Sequence, residues 1–205
     1  MDEKIDLSVL ESKEVRNQLT VSAVEAVSSS KKAISTPDST QGEKVTVQPE
    51  SLRIIPRATE IGQNRVSAHD VAAFILEQQG EMTAMKLQKL VYYSQAWSLV
   101  WDEEPLFIEP IEAWANGPVV RSLYNQHKGN FKVKDWQGDP KKLSETQRET
   151  ILKVLEFYGG MSSQVLSDLS HSEEPWLKAR VGLAVGDRGN RIIPLADMAE
   201  YYSSL

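Results

Sequence analysis

Residues 86–97 read KLQKLVYYSQAW, an apolar and aromatic stretch interrupted by two lysines, two glutamines and a serine. The flanking residues decide how it folds. From Met82 to Trp101 the apolar positions are Met82, Met85, Leu87, Leu90, Val91, Ala96, Trp97, Leu99 and Val100, with Tyr92 and Tyr93 between them. They fall on nearly every side of a helical wheel, and a helix that is apolar all round is a buried one. The stretch therefore predicts the central helix of a domain. Lys86 and Lys89, three residues apart, share a face, and their long stems predict ammonium groups that snorkel to the helix edge.

On the N-terminal side, Ser67 with Asp70 has the spacing of a capping box. A helix through Val71, Ala72, Phe74, Ile75 and Leu76 follows, ended by Gly80. On the C-terminal side, Pro105, Pro110 and Pro118 forbid one continuous helix after Asp102–Pro105. Leu106, Ile108, Ile111, Ala113 and Trp114 predict a short extended excursion around 106–116, closed by the Asn116-Gly117-Pro118 turn. Pro118 then suits the first turn of a helix through Val119, Val120, Leu123 and Tyr124.

Lys128 to Lys142 reads as a Lys-, Gly- and Asp-rich loop. Ser144 and Gln147 form a second capping box, opening a helix through Ile151, Leu152, Val154, Leu155, Phe157 and Tyr158 that Gly159-Gly160 stops. Ser162 caps Val165–Leu169, and Ser170 with Glu173 caps the turn into Pro175-Trp176-Leu177. A last short helix takes Leu195–Tyr202. The expected fold is mainly α, one compact helical domain over residues 66–205.

The preceding 65 residues differ in kind. All five Trp, six Tyr and four Phe lie beyond Arg65, so the first third lacks the side chains that supply most buried area in a core. Ser28–Lys44 has the composition of a linker. Apolar residues from Ile5 to Val27 mark one side of a possible helix over 6–27, which at that length needs a partner to persist. Val45–Pro56 reads as an extended segment able to dock on the domain. Residues 1–65 are thus expected to be a largely disordered extension, part of it able to fold on a partner.

The formal net charge is −6, and acidic residues also outnumber basic ones from Val66 onward. That excess opposes a phosphate backbone. A nucleic-acid reading would rest on Lys86, Lys89 and the loop lysines interleaved with Tyr92, Tyr93 and Trp136, and it ranks third. There is no cysteine, which excludes disulfides and thiolate zinc sites and suits a reducing cytoplasm. The acidic N-terminus lacks the apolar region of a signal peptide. No apolar run approaches the ~20 residues that cross a bilayer, so no membrane partner is expected.

The three histidines carry little chemistry by pattern. His69 lies in a first helical turn beside Asp70. His127 ends a helix, where a partly charged imidazole suits the dipole. His171 is the most suggestive, standing among Asp168, Ser170, Ser172, Glu173 and Glu174. A hydrolase centred on His171 with Glu173 or Asp168 is one reading. Catalysis needs converging geometry, however, and no metalloprotease, nucleophile-elbow or phosphate-loop motif accompanies it. A structural role, bridging helix ends or packing on Trp176, is the simpler reading. Gly186–Asn190 lacks dinucleotide-binding spacing and reads as a flexible turn. No cofactor, metal or catalytic set is expected.

Three stretches, taken together, resemble the SocA-like Panacea antitoxin domain, whose phage-associated members are called GepA-like. They are the Met82-Thr83 to Gln95 run with its Lys86-Leu87, Lys89-Leu90 and Tyr92-Tyr93 pairs, the Glu112-Ala113-Trp114 to Gly117-Pro118-Val119 stretch followed by Tyr124, and Leu166-Ser167 to His171, Pro175 and Trp176. Their order covers about residues 66–202. The family often places Thr before the histidine, and Ser170 keeps that hydroxyl here.

The resemblance implies a non-enzymatic binding protein: an antitoxin that holds a cognate toxin encoded by an adjacent gene. One branch hands its toxin to a ClpXP-type protease, which makes a proteolytic adaptor the alternative. The expected contact surface comprises Lys86, Lys89, Gln95 and Trp101 beside the central helix, the turn with Trp114, Asn116 and Arg121, and part of the N-terminal extension. Leu87, Leu90, Tyr92, Gly117, Pro118, His171, Pro175 and Trp176 are expected mainly to hold the fold.

Overall fold

The computed structural model describes residues 65–205, and every structural statement below concerns these residues. The expectations for a helix over 6–27, a linker and a docking segment at 45–56 lie outside them.

Ser67 caps the first helix, α1 (Ala68–Gln79), as its spacing requires. Its hydroxyl accepts from the Asp70 amide while its own amide donates to the Asp70 carboxylate. At the other end Gly80, at φ 72°, turns the chain and returns its N–H to the Leu76 carbonyl. Met82–Thr83 is a two-residue strand, β1, which the helical pattern around it concealed. The Thr83 hydroxyl accepts from the Lys86 amide and so starts the central helix, α2 (Ala84–Trp101), two residues later than the apolar run suggests.

Every residue of α2 from Leu87 to Ser98 is buried. Leu87, Leu90, Val91, Tyr92, Tyr93, Ala96 and Trp97 form the middle of the core; fully burying one such side chain stabilises by roughly 1.5–3 kcal/mol. Around α2 pack α1, α4 (Glu145–Tyr158), α5 (Ser163–Ser172) and α7 (Leu195–Ser203). The remaining helices are short: α3 (Arg121–His127) and α6 (Glu174–Ala179), with a 3-10 turn at Pro140–Lys142. The fold is mainly α, as the sequence predicts.

The β structure is small. Strands β2 (Ile111–Trp114) and β3 (Gly117–Val120) form an antiparallel hairpin, with Ile111 opposite Val120 and Trp114 opposite Gly117. Residues 191–193 run along its free edge, where Ala113 N–H donates to Arg191 O and Ile193 N–H to Ile111 O. A second pair joins β1 to β4 (Lys132–Val133).

Two sequence expectations are corrected here. The extended excursion is a hairpin that begins at Ile111 and returns through Gly117–Val120, so Pro118 lies in a strand and the helix starts only at Arg121. Proline is tolerated because β3 is an outer strand, paired with β2 on one side only, and on its other side Pro118 O accepts from the Lys89 side chain of α2. Ser170 does not cap α6: it lies inside α5, with its hydroxyl on the Ser167 carbonyl.

The polar interruptions of KLQKLVYYSQAW now have a physical reason. Gln88 bonds both the N–H and the C=O of Val120, at 2.9 and 3.2 Å. Gln95 does the same for Phe107, at 3.1 Å each. Lys89 Nζ donates to Pro118 O at 3.0 Å, and Ser98 Oγ to Glu104 O at 2.8 Å. These groups satisfy backbone of the 104–107 stretch and of the side of β3 turned away from β2, where each unpaired buried group would cost about 1–3 kcal/mol.

Candidate functional site

The three motif stretches meet at Lys89. Gly117 stands at φ 99°, and a Cβ there would lie 2.6 Å from Lys89 Nζ and 3.0 Å from Ser170 Oγ. Only glycine allows both the turn and the approach of the lysine. Lys89 is 1% exposed. Burial pushes its ammonium down to about 7, an effect the nearby Glu173 carboxylate partly opposes.

Glu173 is itself buried and accepts from Tyr93 Oη at 3.2 Å and Tyr202 Oη at 2.6 Å. Tyr92 and Tyr202 hydroxyls lie 3.2 Å apart, and Tyr93 stacks on Tyr158 with ring centres 4.1 Å apart. Burial, reinforced by the Glu173 charge, pushes the Tyr92, Tyr93, Tyr158 and Tyr202 phenols up. The α7 tyrosine thus completes a polar cluster begun by α2.

His171 stacks on Trp176, ring centres 4.4 Å apart. Burial first, then the Lys89 charge, pushes its imidazole below the ordinary range, and the ring engages the Asn116 backbone. Trp176 Nε1 donates to Trp114 O at 2.9 Å. The neighbours imagined for catalysis are occupied elsewhere: Glu173 by the tyrosines, Ser170 by Ser167 O, and Asp168 by Gln164. Among the described residues no group of three or more His, Asp or Glu is arranged to hold a metal ion, and no helix is long and apolar enough to cross a membrane.

The tip of the hairpin opens a groove of 670 Å³, lined by Trp114, Asn116, Arg121, Tyr124, Arg188 and Asn190. Arg121 forks onto the Glu112 carboxylate, with Nε–Oε1 at 2.7 Å and Nη2–Oε2 at 2.5 Å, while Trp114 Nε1 donates to the same carboxylate at 2.7 Å. Burial works to raise the Glu112 carboxyl, but these bonds outweigh it and hold the group below its ordinary range. The Arg121 guanidinium lies 5.3 Å over the Trp114 ring, and Tyr124 meets that ring edge-on at 4.7 Å. The far wall is the 182–190 loop. Arg180, buried, holds it by donating to Ala113 O, Ala184 O and Asp187 O.

Of the residues expected to meet a partner, Trp114, Asn116 and Arg121 come together on this groove. The expected exposure of Lys89 and Gln95 is corrected. Both are buried, because the hairpin and the 104–107 segment need their polar ends. Lys86 is half-buried, with Nζ capping the C-terminus of α4 through Gly159 O at 2.6 Å. Trp101 is half-buried, stacked on Trp97 with Lys153 over its ring. His127 is likewise corrected: it is buried, 3.0 Å from Gln88 Nε2, and burial disfavours the charged imidazole that a dipole contact would want.

Leu87, Leu90, Tyr92, Gly117, Pro118 and Pro175 are all buried. The sequence reading missed Arg180 and Tyr202, whose roles depend on partners more than sixty and twenty residues away in the chain. It also took the Arg188–Asn190 wall for a plain turn.

Fold and site together define a helical domain in which a buried polar knot braces a hairpin whose tip borders an open groove. Residues 87–177 match the family described as Antitoxin SocA-like, Panacea domain, which shows the resemblance over that span. The match takes in α2 from Leu87 onward, the hairpin and the His171–Trp176 stretch, and stops before Arg188 and α7. No curated protein and no solved structure matches the chain.

Proposed function

We propose that this protein is an antitoxin that neutralises a cognate toxin by direct contact in the cytoplasm, the toxin being encoded by an adjacent gene. The match of residues 87–177 to the antitoxin family carries the reading. The geometry is in keeping with it: the motif residues Lys89, Gly117, His171, Pro175 and Trp176 serve the fold, and what they present outward is the hairpin tip. Trp114, Asn116 and Arg121 form the core of the contact surface, with Trp101 and Lys86 at its margin.

The test is co-expression. The neighbouring gene product should arrest growth alone, lose its toxicity when this chain is present, and co-purify with it. Asn116→Arg, at an exposed turn position, should leave the chain folded and abolish rescue. A neighbouring product that is harmless, or that is toxic and neither rescued nor bound, sinks the reading. Repeating the rescue in a host lacking the ClpXP-type protease separates neutralisation by occupancy, which survives there, from delivery to the protease, which does not.

A further inference from the structure

The charged lining of the groove is entirely cationic, in a chain whose net charge is −6. Its two arginines differ in state. Arg121 is neutralised by the Glu112 carboxylate it grips. Arg188 has no ion pair or hydrogen bond among the described residues, and it is exposed on a loop whose backbone is fixed from beneath by Arg180. The Asp187 side chain beside it is turned back to the Ala184 amide, so it does not neutralise Arg188. The Asn116 and Asn190 side chains likewise have no partner among the described residues, which leaves two amide groups free in the same groove. The opposite wall supplies the Trp114 and Tyr124 rings.

We infer that the groove takes an acidic segment of a protein partner, a carboxylate pairing with Arg188 between the Asn116 and Asn190 amides while a neighbouring apolar side chain lies on Trp114 and Tyr124. This rests on the partner-binding reading above and names the chemistry of the partner. Guanidinium and amide donors in fixed positions recognise carboxylate directionally, and charge complementarity selects the partner and speeds encounter. A nucleic-acid strand is the poorer occupant. It needs a row of cations along its backbone, whereas here one unpaired arginine stands in an acidic domain.

The full chain would be panned against a display library of random short peptides. The best peptide would then be measured by fluorescence polarisation beside its Gln/Asn-substituted twin, with a single-stranded oligonucleotide as competitor. The expected result is enrichment of Asp or Glu next to an apolar residue, with binding that weakens about tenfold in the amide twin and in Arg188→Glu. Arg188→Lys should retain part of it. Lys134→Glu, a reversal at an exposed lysine in another part of the chain, should change nothing. Three results overturn the inference: no acidic enrichment, equal loss in Lys134→Glu, or displacement by the oligonucleotide at matched ionic strength. Toxin rescue that survives Arg188→Glu alongside a failed panning removes the groove but leaves the antitoxin reading. Acid-selective binding by a chain that rescues nothing does the reverse.

Discussion

The Lys89 ammonium donates to the Pro118 carbonyl at 3.0 Å, passing through the space that a side chain on Gly117 would occupy. This contact ties the central helix to the hairpin and explains why a lysine and a glycine-proline pair, 28 residues or more apart, act as one unit.

Gly117→Ala should therefore be costly. The new methyl would meet Lys89 Nζ at 2.6 Å and force a φ of 99° on a residue that resists it. Strain alone costs about 1–3 kcal/mol, and displacing the lysine adds the loss of a buried charge-assisted bond. Chemical denaturation should show a fall of about 2–4 kcal/mol. A loss within ~0.5 kcal/mol, the range of ordinary surface changes, would mean the glycine is not required.

The pH dependence has a definite sign. Folded Lys89 titrates at about 7 and the unfolded lysine at its ordinary 10.5. Between these values the unfolded chain holds the extra proton, so stability should rise as pH rises from about 7 toward 10. Lys86, also pushed down by burial, adds the same sign. Past about 10 the trend reverses, because the buried Tyr92, Tyr93 and Tyr202 keep protons that unfolded tyrosines release. In Lys89→Met the rise should flatten while the alkaline fall remains. Parallel melting curves for both proteins across this range would refute the assignment.

Tyr202→Phe removes a donor to the Glu173 carboxylate at 2.6 Å, while Tyr93 still donates to it at 3.2 Å. Removing one hydrogen bond to a buried carboxylate costs about 1–3 kcal/mol, and the loss should shrink when Glu173→Gln is combined with it. Additive losses in that double-mutant cycle would show that the two groups do not interact.

Trp176→Phe keeps the stacking with His171 but removes the donor to Trp114 O. The expected loss is about 1 kcal/mol, with faster amide exchange at the hairpin tip. Exchange rates unchanged at Ala115 and Asn116 would show that the bond does not brace the turn.

Much of the fold follows from local sequence. The capping boxes at Ser67 and Ser144, the Gly80 stop and the all-round apolar run of the central helix are short-range signals, because hydroxyl-to-amide bonds and helical periodicity involve residues at most a turn or two apart. The hairpin was half legible. Its turn at Asn116-Gly117-Pro118 is local chemistry, but the strand character of Gly117–Val120 depends on Gln88 and Lys89 of another element.

The site shows the same division. The sequence alone determined a helical domain with a central buried helix, and the three motif stretches that resemble an antitoxin-like family. Only the tertiary structure decided which polar residues face inward. Lys89 and Gln95 look like rim residues on a helical wheel, yet they are buried, because the backbone they satisfy belongs to the 104–120 segment. Arg188 looks like part of a loose turn, yet it stands in a groove wall, because Arg180 fixes the loop to the hairpin through carbonyl groups that no sequence pattern records. Burial and pairing of polar groups are settled by where distant backbone ends up.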